Sequence, residues 1–451
     1  MKSRLRSRVL PHAVWLSVLA AGSIAACSSG TTLQPVTTTT PDASTDSGPT
    51  TVDGGGIIGG DPFDQPLDGL SADLLTQFND GDHEFDLVLR PYDGLGPLYT
   101  RPSCGACHDD GSRGPGLVQK MVIVDSNDIT PSPDQSLLPF GNTVHPLVVT
   151  DITGAMTPIV PPLLDGGIDG GDAGEQQLRV TIRLGPPVLG RGYMEAIADS
   201  EILRIEAEEA KRTDGIHGRA NHTTFASVPN PDQTYEQYKT NDAVIGRFGL
   251  KARIATLDEF VADAMQGDMG MTTVMRPNEF ANPDGVTDDL KPGTDLDTDK
   301  LNVRAMYLRL LAIPLRKVDP TGNGEALFEQ VACNGCHVKS LHTRADYPVK
   351  QLADIEAPVY TDMLLHDMGD DLADGVAGGV EGMAGPRDWR TAPLLGLRFN
   401  RVLMHDGRAS SVEDAILKHA GNGSEAQHSV DLFNALSATD RKTLLDFVGA
   451  L

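Results

Sequence analysis

The sequence predicts an all-α protein of two similar domains with long irregular loops, and three observations support that prediction. A Cys-x-x-Cys-His motif occurs twice, at 104–108 and 333–337. Apolar residues recur at the spacing of one helix face in several segments, such as 257–264 and 301–313. Between these segments the chain is rich in Asp, Asn, Pro and Gly, most clearly at 268–300, which is typical of irregular loops.

Each Cys-x-x-Cys-His motif has the spacing of a c-type haem attachment site. Two thiols one helical turn apart can add to the two vinyl groups of a haem, and the adjacent imidazole can bind the iron. A zinc site would instead need both cysteine pairs as four ligands, and a thioredoxin-type pair would need one motif in a βαβ unit. We therefore expect two covalently bound c-type haems, with thioethers at Cys104, Cys107, Cys333 and Cys336 and proximal ligands at His108 and His337.

The regions before the two motifs share a template. Leu98 and an aromatic residue precede Cys104 at the same offset as Leu327 and an aromatic residue precede Cys333. In class I cytochromes c the motif ends a helix whose apolar face covers the haem edge. The shared template therefore indicates that one structural unit occurs twice in the chain.

A second repeat lies downstream of each motif. Pro-containing runs at 185–194 and 391–404 are similar to each other and fit a strap that crosses a haem, although such short Pro- and Gly-rich runs also resemble one another by chance. The last helix is expected to begin with a capping box at 437–440 and to pack on the helix of the second motif. We therefore expect two class I cytochrome c-like haem domains, at 81–318 and 319–451.

Residues 1–26 resemble a lipoprotein signal peptide. Four basic residues precede an apolar run at 14–21 that is too short for a spanning helix, and small residues lead to Cys27 as in a bacterial lipobox. Ser28 stands where an acidic residue would retain a lipoprotein at the inner membrane. We expect lipidation at Cys27 and a cell-envelope location, anchored in the outer membrane and facing the periplasm or the surface. An ordinary cleaved signal peptide and an uncleaved anchor are the alternatives.

Residues 27–80 are expected to form a disordered tether, because Thr, Ser, Asp and Gly leave too little apolar surface for a core. The chain carries a formal net charge of −26. This charge excludes a nucleic-acid partner, since it would repel the phosphates. It suits electrostatic attraction of a small basic redox protein. A quinol-linked electron donor is the other partner we expect.

Several longer motifs closely resemble the bacterial di-haem oxidoreductase family. The similarity covers about residues 80–451. It implies kinship with di-haem cytochrome c peroxidases and with the methylamine-utilisation di-haem enzyme, and leaves the substrate open. The motifs that carry it are YTDMLLHDMG at 360–369, WRTAPL at 389–394, HDGRA at 405–409, EDAI at 413–416, GLGPL at 94–98, DGIHGR at 214–219 and GRFGLKA at 246–252.

The sixth ligand of the second iron has a clear candidate in His419. It shares an apolar helix stripe with Val412, Ala415 and Ile416. The resemblance agrees, because in di-haem peroxidases a His-Asp-Gly sequence is followed fourteen residues later by an axial residue, and counting from His405 gives His419. The alternatives are that His419 is a core or surface histidine, with Met404 or Met368 as the ligand.

The sequence does not determine the sixth ligand of the first haem. Its sixth ligand is one of His145, His217, His222 and Met194, or the position is vacant. Glu195 is a candidate distal acid/base for O–O cleavage, with an exposed helix-start carboxylate as the other interpretation. Arg247 and Lys251 can hold haem propionates or form ordinary salt bridges. Trp389, the only tryptophan outside the signal segment, can connect the haems electronically or serve in packing.

Two classes of function fit these observations. The first is a di-haem c-type oxidoreductase of cytochrome c peroxidase type. In it, haem one is the reaction centre, with hydrogen peroxide as a candidate substrate, and haem two relays electrons. The second is a non-catalytic electron-transfer lipoprotein with two six-coordinate haems. An iron with an open face favours the enzyme, because a haem held on both faces can only pass electrons.

Overall fold

Short strands alternate with helices along the chain. The computed structural model describes residues 64–451 apart from 109–115, 125–137, 139–140, 150–176, 233, 236–237, 281–290, 315, 317–321 and 375–380. The signal segment and Cys27 therefore lie outside the described residues. In the described part, no helix is both long and apolar enough to cross a lipid bilayer.

The described residues contain ten α-helices. They are α1 (Ala72–Asp86), α2 (Cys104–Cys107), α3 (Arg191–Ala196), α4 (Asp199–Glu209), α5 (Leu257–Met269), α6 (Thr298–Leu310), α7 (Gly324–Gln330), α8 (Val412–Leu417), α9 (Gln427–Ala435) and α10 (Ala438–Val448). Because α1 begins at Ala72, folded structure starts before residue 80, where the tether was predicted to end.

Ten strands form five two-stranded antiparallel sheets in the same part of the chain. The pairs are β1 (Leu98–Tyr99) with β3 (Leu147–Val148), β2 (Leu117–Val124) with β4 (Gln177–Leu184), β5 (His222–Thr224) with β6 (Ala243–Ile245), β7 (Leu341–His342) with β8 (Glu356–Ala357), and β9 (Leu365–Asp367) with β10 (Asp388–Arg390).

The all-α prediction is therefore wrong. The clearest exception is the β2–β4 ladder, in which eight consecutive residue pairs run from Leu117↔Leu184 to Val124↔Gln177. Val and Ile residues at 122–124 favour a strand, and these three side chains are buried. Their partner strand begins more than fifty residues later, so the local pattern alone did not reveal the pairing.

The main core forms where α1 crosses α6. Phe78 and Phe85 both pack on Tyr307, with ring centroids 5.2 Å apart in each pair. A Cβ atom at Gly81 would lie 2.5 Å from Cβ of Tyr307, so glycine is needed where the two helices approach. The described residues lie in one contact unit, and this core also includes residues from 341 onward. The predicted domain division at 318/319 stays a prediction.

A second apolar cluster joins α7 to the C-terminal helix. Phe328 and Phe447 lie 5.8 Å apart between ring centroids, and Leu444 is fully buried. Ser437 caps α10, because its Oγ accepts from the amide of Asp440 at 3.1 Å. The predicted C-terminal helix and its inward face are confirmed. Because α7 directly precedes the second Cys-x-x-Cys-His motif, this cluster holds the start of that motif in place.

Candidate haem centres

The first motif occupies one capped helical turn. The Ser103 Oγ accepts from the Ala106 amide at 3.0 Å, which starts α2 at Cys104. The amide of His108 then donates to the Cys104 carbonyl at 2.8 Å. This turn sets the spacing between the two thiols and brings His108 next to Phe85, at 6.2 Å between ring centroids.

The second motif occupies a tighter turn. Residues Cys333–Gly335 are a 3₁₀ turn, and the amide of His337 donates to the Cys333 carbonyl at 3.0 Å. A Cβ atom at Gly335 would lie 2.6 Å from Cδ1 of Ile216, so a larger residue inside this motif would require that side chain to move. The ring of His337 lies 6.5 Å from that of Phe328, which ties the motif to the second apolar cluster.

The four motif thiols form no disulfide in the described part of the chain. Burial raises the pKa of Cys107 to about 11 and that of Cys333 to about 12. A thioredoxin-type pair needs a lowered pKa, because its chemistry uses the thiolate. The surroundings of Cys107 and Cys333 therefore suit neutral sulfur, which a thioether supplies.

Two imidazoles lie close together at the second motif. Nδ1 of His337 shares a hydrogen bond with the Tyr360 carbonyl at 3.1 Å, and Nδ1 of His419 with the Ala415 carbonyl at 2.7 Å. Since a carbonyl only accepts, both Nδ1 atoms carry the proton, and each Nε2 keeps a lone pair for a metal. Burial lowers the pKa of His337 to about 4, with repulsion from His419 as the next cause.

The charged groups around His337 place His419 near it, and they do not bear on Met368 or Met404, which carry no charge. The groups that shift its pKa are His419, Asp362 and His366. Met368, Met404 and His419 are all half-buried, so burial does not distinguish the three candidates. Met368 takes part in a backbone bridge to Ser424, and Met404 has a left-handed backbone at φ 74°.

A buried histidine beside Cys336 received no role from the sequence. His366 shares hydrogen bonds with Glu425 through Nδ1 at 2.8 Å and with Asp362 through Nε2 at 2.9 Å. Its Nδ1 also lies 3.7 Å from Sγ of Cys336. Although burial opposes its charge, attraction to Cys336 and Asp362 raises the pKa of His366 well above its ordinary value. Its position in the YTDMLLHDMG motif, four residues after Asp362, was the available signal.

The candidate ligands of the first haem have different environments. His145 is fully buried, its Nε2 shares a hydrogen bond with the Gly267 carbonyl at 2.9 Å, and its Nδ1 has no hydrogen-bond partner. The sulfur of the buried Met194 accepts from Arg191 at 3.1 Å. His217 and His222 are both exposed. Of the four, only His145 and Met194 are buried.

Glu195 lies in a closed polar network. Its carboxylate accepts from Arg309 at 2.6 and 3.0 Å, from the Tyr347 hydroxyl at 2.6 Å and from the Leu257 amide at 2.7 Å. Burial would raise its pKa, but attraction to Arg309 and these hydrogen bonds lower it. The carboxylate is neither exposed nor available without breaking an ion pair. This geometry favours a structural role, and the acid/base role stays a prediction.

The two candidate propionate ligands already have partners. Arg247 pairs with Asp199 at 2.6 Å. Lys251 donates to the carbonyls of Gly385 and Pro386 at 2.9 and 3.2 Å, and its Nζ lies 3.5 Å from Asp374. These contacts match the salt-bridge alternative for both residues.

Trp389 is part of a buried stack that the sequence did not reveal. Its indole and the His405 imidazole lie 3.8 Å apart between centroids, at 19° between planes. The indole nitrogen donates to the Leu372 carbonyl at 2.8 Å, and Nζ of Lys251 lies 3.8 Å from the ring centroid. Packing and hydrogen bonding account for this tryptophan, and an electronic role stays a prediction.

The two Cys-x-x-Cys-His motifs, with a second histidine near His337, are features of haem-binding sites. The chain belongs to the di-haem oxidoreductase family, because the family model described as "Di-haem oxidoreductase, putative peroxidase" matches residues 172–451. The match includes the second motif and begins after the first. The protein is therefore a haem-binding oxidoreductase.

Comparison with other proteins adds little to this assignment. No curated protein matches the chain. A solved structure of Kuenenia stuttgartiensis hydrazine synthase, pressurised with xenon, is 14% identical and aligns over 90% of this chain and 100% of that chain. Its TM-score is 0.36, which is too low to support an argument about fold or activity.

Proposed function

We propose that this chain is a c-type di-haem oxidoreductase of peroxidase type. Haem one, on the His108 motif, is its reaction centre, and haem two, on the His337 motif, relays electrons. Family membership supports the oxidoreductase class and the haem iron. The covalent attachment and the division of labour are our proposal.

The observation that carries the proposal is the arrangement of His337 and His419. Each ring is oriented by a hydrogen bond from Nδ1 to a backbone carbonyl, at 3.1 and 2.7 Å. Metal-bound histidines commonly have this second interaction, which fixes the tautomer and the ring plane. His337 and His419 would both hold the iron through Nε2, and a haem held by two protein ligands supplies electron exchange without binding substrate.

The residues at the second motif fit a covalently attached haem. Cys333 and Cys336 would hold the haem through thioether bonds, and His337 and His419 would hold its iron. When bound, haem supplies reversible one-electron chemistry at iron. The protein's part is to keep both imidazoles neutral and fixed in orientation, so that little rearrangement accompanies electron exchange.

Hydrogen peroxide is the substrate we propose for the first haem. Its reduction to two water molecules consumes two electrons and two protons, and the electrons come from an external donor through haem two. The net charge of −26 supports a small basic redox protein as donor, with a quinol-linked donor as the alternative.

Removal of one motif at a time tests the division of labour. We expect two haems per chain in the pyridine haemochrome assay, and one after either Cys104→Ala/Cys107→Ala or Cys333→Ala/Cys336→Ala. Cyanide binding should persist without the second motif and be lost without the first, while peroxide turnover should fall in both variants. Cyanide binding that survives only without the first motif would reverse the roles. One haem in the wild type would contradict the proposal.

We also propose that Cys27 carries a lipid that anchors the protein in the cell envelope, facing the periplasm or the surface. The lipobox-like sequence before Cys27 supports this. Cys27→Ala should move the protein from the membrane fraction to the soluble fraction or leave it unprocessed. Unchanged fractionation together with no lipid mass on Cys27 would refute the anchor.

One observation favours the electron-carrier alternative. Nδ1 of His145 is buried without a hydrogen-bond partner, and burial lowers the pKa of this histidine to about 4. A neutral imidazole with an unused lone pair is a suitable iron ligand. If His145 caps the first iron, both haems are six-coordinate. His145→Ala should then create a cyanide-binding haem that the wild type lacks.

A further inference from the structure

Two buried arginines in the described part of the chain make no ion pair. Six arginines there are buried, and four of them pair with carboxylates: Arg183 with Asp374, Arg247 with Asp199, Arg304 with Glu84, and Arg309 with Glu195. Arg191 and Arg390 are the exceptions, at 2% and 5% exposure. A guanidinium stays charged in proteins, so each needs a counter-charge.

The contacts of both guanidinium groups are neutral. Arg191 donates to the Pro187 carbonyl at 2.7 Å through Nε and to the Met194 sulfur at 3.1 Å through Nη1. Arg390 donates to the Gly249 carbonyl at 3.1 Å and to the Thr391 carbonyl at 2.8 Å. Carbonyl dipoles orient a guanidinium, but they do not neutralise it.

The segments that carry the two arginines lie close together, because a Cβ atom added at Gly190 would lie 2.5 Å from Cδ1 of Leu395. The two charges also repel each other. Burial, followed by repulsion from Arg390, lowers the pKa of Arg191 to about 9. Burial lowers the pKa of Arg390 to about 10, against the attraction of Asp362. Asp362 is committed to His366 at 2.9 Å and makes no ion pair with Arg390. Two like charges buried together are costly unless an anion lies between or beside them.

The pair joins elements that adjoin both motifs. Arg191 opens α3 directly after the run that starts at Gly185, where an added Cβ would lie 3.8 Å from Cε1 of His108. Arg390 ends β10, whose partner β9 carries His366 beside Cys336. An anion here would therefore lie near the cofactors.

We propose that Arg191 and Arg390 together bind a propionate carboxylate of one haem. The fixed fork of a guanidinium matches a carboxylate, which is also the anion that haem itself brings. This inference rests on the proposed di-haem function. It replaces Arg247 and Lys251, which have other partners, as the propionate ligands.

The test is the midpoint potential of each haem in Arg191→Gln and Arg390→Gln. Reduction adds an electron to the haem, so nearby positive charge stabilises the reduced form. Loss of either charge should shift a midpoint to a more negative value, and both variants should act on the same haem. Arg191→Lys and Arg390→Lys keep the charge and should shift it less. Arg247→Gln, which removes a buried arginine that already has a carboxylate, is the matched control and should leave both midpoints unchanged.

The outcomes separate this proposal from the proposed function. Two haems by pyridine haemochrome with unmoved midpoints, or shifts on different haems, would overturn the arginine site and leave the di-haem function intact. A shift of equal size in Arg247→Gln would also overturn it. Fewer than two haems in the wild type would overturn the function itself. Acetate added to the wild type separates the sources of the carboxylate: a concentration-dependent midpoint that the variants lose would refute a propionate as the occupant.

Discussion

Glu195 and Arg309 form a buried two-pronged ion pair, in which Nε and Nη2 lie 2.6 and 3.0 Å from the two carboxylate oxygens. The pair ties α3, which carries Arg191, to α6 of the main core. Arg309 also reaches Asp258 at 2.8 Å, so one arginine serves two carboxylates from separate elements. A carboxylate held in this way supports the position of α3.

Glu195→Gln is expected to destabilise the protein by about 3 kcal/mol, because removal of one partner of a buried ion pair leaves the other charge poorly compensated. Urea unfolding measures this free energy. Glu208→Gln is the matched control, since Glu208 pairs with Arg204 on the surface and should contribute less than about 1 kcal/mol. Unchanged stability of Glu195→Gln with a large fall in peroxide turnover would instead favour a catalytic Glu195.

Protonation of Glu381 should lower the free energy of unfolding at acidic pH. Burial opposes its charge, but attraction to Arg183 lowers the pKa of Glu381 to about 2. Its pKa in the unfolded chain is about 4.3, so its contribution is complete above that value and is lost as the pH falls toward about 2. The full contribution is about 3 kcal/mol. The gap in unfolding free energy between wild type and Glu381→Gln should narrow between about pH 6 and about pH 3. A gap independent of pH would contradict the assignment.

His419→Gly should convert the second haem from low-spin to high-spin, because it removes an axial imidazole and leaves both thioethers intact. Added imidazole should restore the low-spin spectrum by filling the space. Absorption spectroscopy checks both steps. His428→Gly is the matched control, since His428 is exposed on α9, and should leave the spectrum unchanged. A low-spin spectrum that persists in His419→Gly would transfer the ligand role to Met404 or Met368.

The features of the site that lie within a short stretch of the chain could be predicted from the sequence. Thiol spacing and the proximal histidine fit within five residues. His419 was expected on the apolar stripe of a helix, but it lies two residues after α8 ends at Leu417. Contacts between segments that are distant in the sequence could not be predicted from it. The carboxylate of Glu195 meets partners from 257, 309 and 347, and the β2–β4 ladder pairs segments separated by a long connection. The repulsion between Arg191 and Arg390 likewise exists only once α3 and β10 are brought together.

The central claim is that the second iron is bound on both faces while the first can bind an exogenous ligand. Electron paramagnetic resonance of the oxidised wild type, with and without cyanide, tests it most directly. The account predicts one low-spin haem that cyanide leaves unchanged, and one haem that is high-spin or weakly capped and becomes low-spin with cyanide. Two low-spin haems that resist cyanide and peroxide in every redox state would contradict it.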